Sequence, residues 1–147
     1  MIYLVDTNIL LRILHRTDPR HAIVRGAART LRINRHELHA TSQNFTEFWN
    51  ASTRPMHSNG FGLTPQETAR LLRIAERLFP LLPDSPAIYP EWRRLVVEYS
   101  VSGVQVYDAR LAAAMRVHNV SHILTFNISD FARYAPEGIV AVDPTTV

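Results

Sequence analysis

Met1-Ile2-Tyr3-Leu4-Val5-Asp6-Thr7-Asn8 is the stretch on which the reading of the whole chain turns. Its opening, mostly apolar run has the length and character of a strand buried on both faces. The run stops at an acid, Asp6, and Thr7 and Asn8 lead into an apolar-periodic helix over residues 9–15. In an open α/β sheet, ligands bind outside the carboxyl ends of the strands. The N–H groups of the following helices point to that same edge. Asp6 has an ordinary explanation as a helix N-cap. It gains a second one if further acids arrive beside it.

Working outward, the chain alternates strand and helix signals. Asp18-Pro19 reads as a cap and first helical residue, opening a helix to about residue 33. The inner stripe of that helix is read as Ala22, Ile23, Ala27, Thr30 and Leu31, with Arg20, Arg25, Arg29 and Arg32 on a solvated face. Residues 37–40 read as a strand, and Thr41-Ser42 starts a helix that Pro55 stops. Phe45, Phe48, Trp49 and Ser52 share one side of that helix, and Glu47 stands beside them. A carboxylate so placed is costly unless it is paired, binds a cation or reaches solvent at the edge of the stripe. Residues 55–63, with Gly60 and Gly62, form either a flap over a site or a plain connector. Thr64-Pro65-Gln66-Glu67 is a capping box. Residues 79–83, bracketed by prolines, suit an edge strand.

After a helix opened by Pro90, Ser102-Gly103 breaks the chain. Asp108, Leu111, Ala112 and Met115 then recur at the helical period. Asp108 therefore projects from an apolar face in the first turn of its helix. Residues 121–126 form a strand, Asp130 follows in a short helix, and residues 139–142 form a last strand before a loose tail. Alternation of this kind indicates an α/β fold with a mainly parallel sheet. The 147 residues suit a single domain, 1–147.

Composition narrows the chemistry. There is no cysteine, so no thiolate metal site, disulfide or cysteine nucleophile exists. All 16 basic residues are arginine. That removes P-loop, Schiff-base and general-base lysines from consideration, and it favours bidentate phosphate contacts. No run is long and apolar enough to span a membrane and no targeting prefix is visible, so a cytoplasmic protein is expected. His36 and His39, like His118 and His122, lack a third ligand and are read as surface or core residues.

Four acids stand out: Asp6, Glu47, Asp108 and Asp130. Each lies at a strand end, in an early helical turn or beside an apolar face. Carboxylates gathered closely raise one another's pKa, and a divalent cation removes the conflict. An all-oxygen ligand set selects a hard ion, Mg²⁺ or Mn²⁺. Setting the four aside leaves nine acids against 16 arginines, a surplus of about +7 on the rest of the chain. A negative pit in a positive surface suits a metal-dependent nuclease. Arg12, Arg16, Arg54 and Arg110 lie near the four acids in sequence.

Four segments together carry a resemblance: Asp6-Thr7-Asn8, Gln43-Asn44-Phe45-Thr46-Glu47-Phe48-Trp49-Asn50, Tyr107-Asp108-Ala109-Arg110-Leu111-Ala112-Ala113, and Leu124-Thr125-Phe126-Asn127-Ile128-Ser129-Asp130-Phe131. In this order they resemble the successive motifs of PIN-domain ribonucleases, and among these the VapC-type toxins of VapBC toxin–antitoxin pairs. The resemblance implies a three-layer α/β/α sandwich around a short parallel sheet. It implies Mg²⁺ bound by Asp6 and Asp108, with Glu47 and Asp130 completing the site, partly through water. Thr7 or Asn8 would hold Asp6 or the attacking water. It further implies RNA as substrate, a product with a 5′-phosphate, a homodimer, and a VapB-type antitoxin whose tail fills the groove. Many members carry an acid two residues after the motif threonine, where this chain has Asn127. The fourth carboxylate is assigned to Asp130, with Asn127 the alternative for that place.

Two other readings compete. A haloacid-dehalogenase-like phosphatase also follows its first strand with Asp. It needs a second acid where this chain has Asn8, and usually a lysine. A catalytically inactive PIN-like domain that binds RNA or protein would not need four intact acids.

Overall fold

The parallel pairing of β1 (Ile2–Val5) with strands on both sides of it organises the computed structural model, which describes residues 1–147. Along the chain follow α1 (Thr7–Leu14), α2 (His21–Ile33), β2 (Glu37–Thr41), α3 (Ser42–Thr53) and α4 (Pro65–Leu78). Then come β3 (Leu81–Leu82), α5 (Ile88–Glu98), α6 (Gln105–Val117), β4 (His122–Leu124), α7 (Ile128–Ala132) and β5 (Val140–Val142). The five strands are all parallel, in the order β3-β2-β1-β4-β5. The chain builds outward from β1 through β2 to β3, then crosses back to place β4 on the other flank of β1. The gap between the carboxyl ends of β1 and β4 is thus the switch point of the sheet, the crevice where open α/β sheets take their ligands.

Strand periodicity sorts side chains into two cores. Tyr3 and Val5 of β1 join Leu38, Ala40 and Leu124 beneath α1–α4, with Phe48 of α3 fully buried among them. Leu4 and Ile123 face the other way, against α5, α6 and α7. This is the three-layer α/β/α sandwich expected. Helix α6 is buried on almost every side: Ala109, Leu111, Ala112, Ala113, Ala114 and Met115 are all inaccessible. Its small side chains let it lie close between sheet and α5. On the outer side, Arg94 of α5 pairs with Glu91 (2.6 Å) and with Glu137 (2.8 Å), and Arg116 of α6 reaches Glu91 (3.2 Å).

Several local readings are corrected. The buried stripe of α2 is Val24, Ala27, Ala28 and Leu31, and both Ala22 and Ile23 are exposed. The start of the helix also differs. Asp18 and Pro19 form a turn, with the Asp18 carboxylate taking the Arg20 N–H (2.8 Å), and the helix begins only at His21. The tail is not loose: Asp143 caps a turn over Pro144–Thr146, and Pro144 is buried. The 55–63 segment is a packed connector rather than a flap. Phe61 N–H bonds the Ala51 carbonyl (3.0 Å), the Phe61 ring stacks on His15 (3.7 Å), and a Cβ at Gly60 would overlap the Arg54 carbonyl. The capping box at Thr64 and Glu67 and the edge position of β3 are as read. No helix is long and apolar enough to cross a membrane.

Phe48 anchors α3, and thereby Glu47, to the core. Phe48→Ala is expected to lower the unfolding free energy by about 3–5 kcal/mol. Urea denaturation would show this as a lower midpoint at unchanged slope.

Candidate active site

Asp6 leaves β1 as its last ladder partner, its N–H bonded to the Leu124 carbonyl (3.0 Å). The same residue caps α1, so its carboxylate is turned back into the crevice rather than out to water. Oδ1 accepts the Thr7 N–H (2.7 Å). Oδ2 accepts from the Thr125 hydroxyl (2.7 Å) and from Asn8 Nδ2 (3.0 Å). The residue is only 5% exposed. Burial pushes its carboxyl up to about 6, against the hydrogen bonds from Thr125 and Thr7, and the charges of Glu47 and Asp130 add to the rise.

Glu47 arrives from α3 on the other side of Thr7. Its Oε2 accepts from the Thr7 hydroxyl (2.6 Å) and its Oε1 from Gln43 Nε2 (2.8 Å). Asn44, buried one turn earlier, donates to the same Thr7 hydroxyl (3.3 Å) and closes the capping box on Thr41. Gln43 also donates to the Tyr107 carbonyl (2.8 Å), and Arg110 donates to Gln43 Oε1 (3.2 Å). These bonds tie α3 to the first turn of α6, where Asp108 stands. Glu47 is partly exposed, but both of its carboxylate oxygens are hydrogen-bonded. It is held in the crevice.

Asp108 is pushed up to about 7, first by burial and then by the charges of Asp6, Asp130 and Glu47; Arg133 pulls the other way. The four acids from four separate segments thus share one electrostatic neighbourhood. Asp130 belongs to it by its charge on Asp6 and Asp108. Asn127 touches it through its backbone, its N–H bonding Thr125 Oγ1 (2.9 Å), and its side chain is exposed. Asn8, where a phosphatase of the dehalogenase type would carry its second acid, is instead a donor to Asp6.

Sequence reasoning overlooked three supporting groups. Thr125 is fully buried at a strand end, and a buried hydroxyl must find a partner. Gln43 stands one helical turn before Glu47, the spacing at which side chains meet. Arg133 lies one turn beyond Asp130 and is the countercharge that Asp108 feels. Of the arginines singled out, Arg110 reaches this network, while Arg54 bonds its own loop at Asn59 (3.1 Å) and Arg16 lines a groove beside α2 and α4. The histidine pairs play other parts. His39 meets Glu37 (2.9 Å) and His118 the Pro83 carbonyl (2.7 Å).

The donor set is entirely oxygen and its charges oppose one another, which suits a hard dication. No three carboxylates stand close enough together to enclose an ion by themselves. That is compatible with Mg²⁺, which keeps several waters and takes one or two carboxylates directly.

Residues 3–136 match the sequence model of the PIN domain. No curated protein matches the chain. Among solved structures, the chain is similar in fold to VapBC2 from Rickettsia felis, bound to a DNA fragment from its promoter. The two are 16% identical, with 97% of this chain and 98% of that one covered and a TM-score of 0.72. VapBC-1 from nontypeable Haemophilus influenzae is 18% identical, covers 99% of each chain and has a TM-score of 0.66. Mycobacterium tuberculosis VapC20, a toxin that cleaves the sarcin–ricin loop, is 15% identical over 97% of this chain and 98% of that one, with a TM-score of 0.68.

Asp6 and Asp108 bind protons more tightly in the fold than in the unfolded chain, whose value is 3.8. Native protein then holds more protons than unfolded protein between about pH 4 and 7, so these groups stabilise it as pH falls through that window and destabilise it as pH rises. Burial lowers the pKa of His15 and His122, which work in the opposite sense. The comparison with Asp6→Asn isolates the acids. In chelator, Asp6→Asn is expected to melt a few degrees above the parent near pH 7.5, with the gap closing near pH 5. Thermal melts at the two pH values check this.

Proposed function

The chain belongs to the PIN-domain family, and from that premise we propose that it is a Mg²⁺-dependent endoribonuclease, the toxin of a toxin–antitoxin pair. The observation that carries the reading is Thr7 bridging Asp6 and Glu47 at the carboxyl end of β1, with Asp108 and Asp130 coupled to them by charge, in a chain whose basic residues are all arginine. Nothing in a purely structural role calls for two carboxyls, buried Asp6 and half-buried Asp108, held well above the ordinary carboxylate range with the charges of Glu47 and Asp130 adding to the rise.

In this reading Asp6 and Asp108 hold the ion, Mg²⁺ or alternatively Mn²⁺. When bound there, it offsets the charge of the phosphate and makes a water more acidic. Thr125, Asn8 and the Thr7 N–H fix both oxygens of Asp6, so its direction is set before substrate arrives. Glu47, held by Thr7 and Gln43, would take the proton of the attacking water, with Asp130 accepting that water's second hydrogen bond. Attack forms a new P–O bond and breaks the one to the 3′ oxygen, which takes a proton from solvent, so the products are a 3′-hydroxyl and a 5′-phosphate. Asn127, at the open edge beyond Thr125, is positioned to meet substrate or water.

The partner in this reading is a VapB-type antitoxin. Support comes from the neighbours in fold, several of which are toxin–antitoxin complexes. Further support comes from a groove of about 710 Å³ between α1, α2 and α4. Ile13, Leu14 and Ile74 line it together with Arg25, Arg29 and Arg32, and no acid does. An amphipathic, acidic segment complements such a surface. Homodimerisation and a cytoplasmic site of action belong to the same proposal.

Purified protein is incubated with total RNA in Mg²⁺, in chelator, and beside Asp6→Asn and Asp108→Asn. Cleavage is expected in Mg²⁺ alone, with either substitution lowering the rate at least about 100-fold, or ~2.7 kcal/mol of barrier. Equal cleavage in every tube, or none in any, overturns the proposal.

A further inference from the structure

A second group of charges sits on the β4 side of the acidic crevice and takes no part in the chemistry above. Phe126 follows Thr125 directly, and its N–H reaches Asn8 Oδ1 (3.4 Å). Its ring packs against the core beneath α1–α4. Two guanidinium groups lie over that ring: Arg20 at 4.5 Å from its centroid and Arg12 at 5.3 Å. Arg12 stands one turn beyond Asn8 on α1 and donates to the Asn8 carbonyl (3.3 Å). Arg20 is exposed at the start of α2.

The charge balance here is uneven. Asp18 is the acid within reach, and its carboxylate stands 4.0 Å from Arg12 Nε while also accepting the Arg20 backbone N–H (2.8 Å). Arg12 Nε is buried without a hydrogen-bond partner. Two like charges therefore lie over one aromatic ring, with the Asp18 carboxylate 4.0 Å from one of them. A ring can hold a guanidinium in place while leaving N–H groups for an anion. Here the exposed Arg20 presents its fork, while Arg12 keeps Nε buried and one N–H on the Asn8 carbonyl and adds its charge. Arg12 lies one helical turn from Asn8, and Phe126 one residue from Thr125, both of which fix Asp6.

We propose that Arg12 and Arg20, stacked on Phe126, form a clamp for an RNA backbone phosphate next to the one that is cut. The inference rests on the nuclease reading and gives the substrate strand a direction, from the acids outward across Phe126 toward the start of α2. Arg12 and Arg20 are positioning residues: they hold the strand and do not touch the reacting atoms.

The test separates binding from cleavage. Asp6→Asn protein and a fluorescein-labelled single-stranded oligoribonucleotide are titrated by anisotropy at several salt concentrations, alone and with Arg20→Ala, Phe126→Leu or Arg73→Ala added. Arg73 is exposed on α4 and serves as the control. Arg20→Ala is expected to weaken binding about 5–10-fold and to lower the slope of log K against log[salt] by about one, as loss of one phosphate contact does. Phe126→Leu, which keeps an apolar side chain but removes the π face, is expected to weaken binding about 3-fold. Arg20→Lys should restore the salt slope. In the cleaving protein, Arg20→Ala should raise KM with kcat within about 2-fold. The clamp is overturned if Arg20→Ala binds with the affinity and salt slope of Arg73→Ala. It falls alone if wild-type protein cleaves RNA and Arg20→Ala does so with unchanged KM. If wild-type protein cleaves nothing yet Arg20→Ala still loses affinity and slope, the nuclease reading falls and the clamp's place beside a cut falls with it, leaving only a phosphate contact.

Discussion

The bond from the Thr125 hydroxyl to the Asp6 carboxylate, 2.7 Å long and out of reach of water, is the contact on which the molecule's arrangement depends. It joins the residues that follow the two strands flanking the switch point. A carboxylate buried to this degree costs several kcal/mol unless it is hydrogen-bonded. Here three donors from two segments meet that need. Even so, burial still holds Asp6 well above the ordinary carboxylate range. The fold thus keeps a group in a state it resists, and strain of that kind is characteristic of sites kept for chemistry.

Around Asp6 the supporting parts are tied to one another rather than merely adjacent. Thr7 offers its N–H to Asp6 and its hydroxyl to Glu47, so a single residue spaces two carboxylates. Gln43 spans from Glu47 to the backbone of α6. Asp108 rides on a helix whose alanine-rich body is pressed between sheet and α5. Glu47, Asp108 and Asp130 ride on helices and Asp6 sits at the junction of β1 and α1, and elements hold geometry better than loops do. Positive charge stays outside this inner ring, at Arg110, Arg133, Arg12 and Arg20.

Much of this was legible in the residues. An apolar run stopped by Asp6 located the central strand, and the strand–helix alternation yielded the parallel sandwich. The four acids were found because each sat where an acid is costly or exposed to a helix start. The strand order was not legible: nothing local in residues 122–124 states that they pair with β1 on the side away from β2. The α2 stripe was misread on the helical wheel, Val24 and Ala28 being buried where Ala22, Ile23 and Thr30 were expected, and Asp18-Pro19, which imitates a cap, forms a turn instead. Thr125 and Gln43 escaped because their roles depend on partners 119 and 64 residues away. Periodicity speaks to which face is buried, not to what meets it.

The two outermost strands are short: β3 has two residues and β5 has three. An exposed strand must run for several residues before another chain can zip onto its free amides and carbonyls. Neither margin here offers that length. The sheet margins thus offer little backbone for strand addition, and most of the surface the molecule presents is helical.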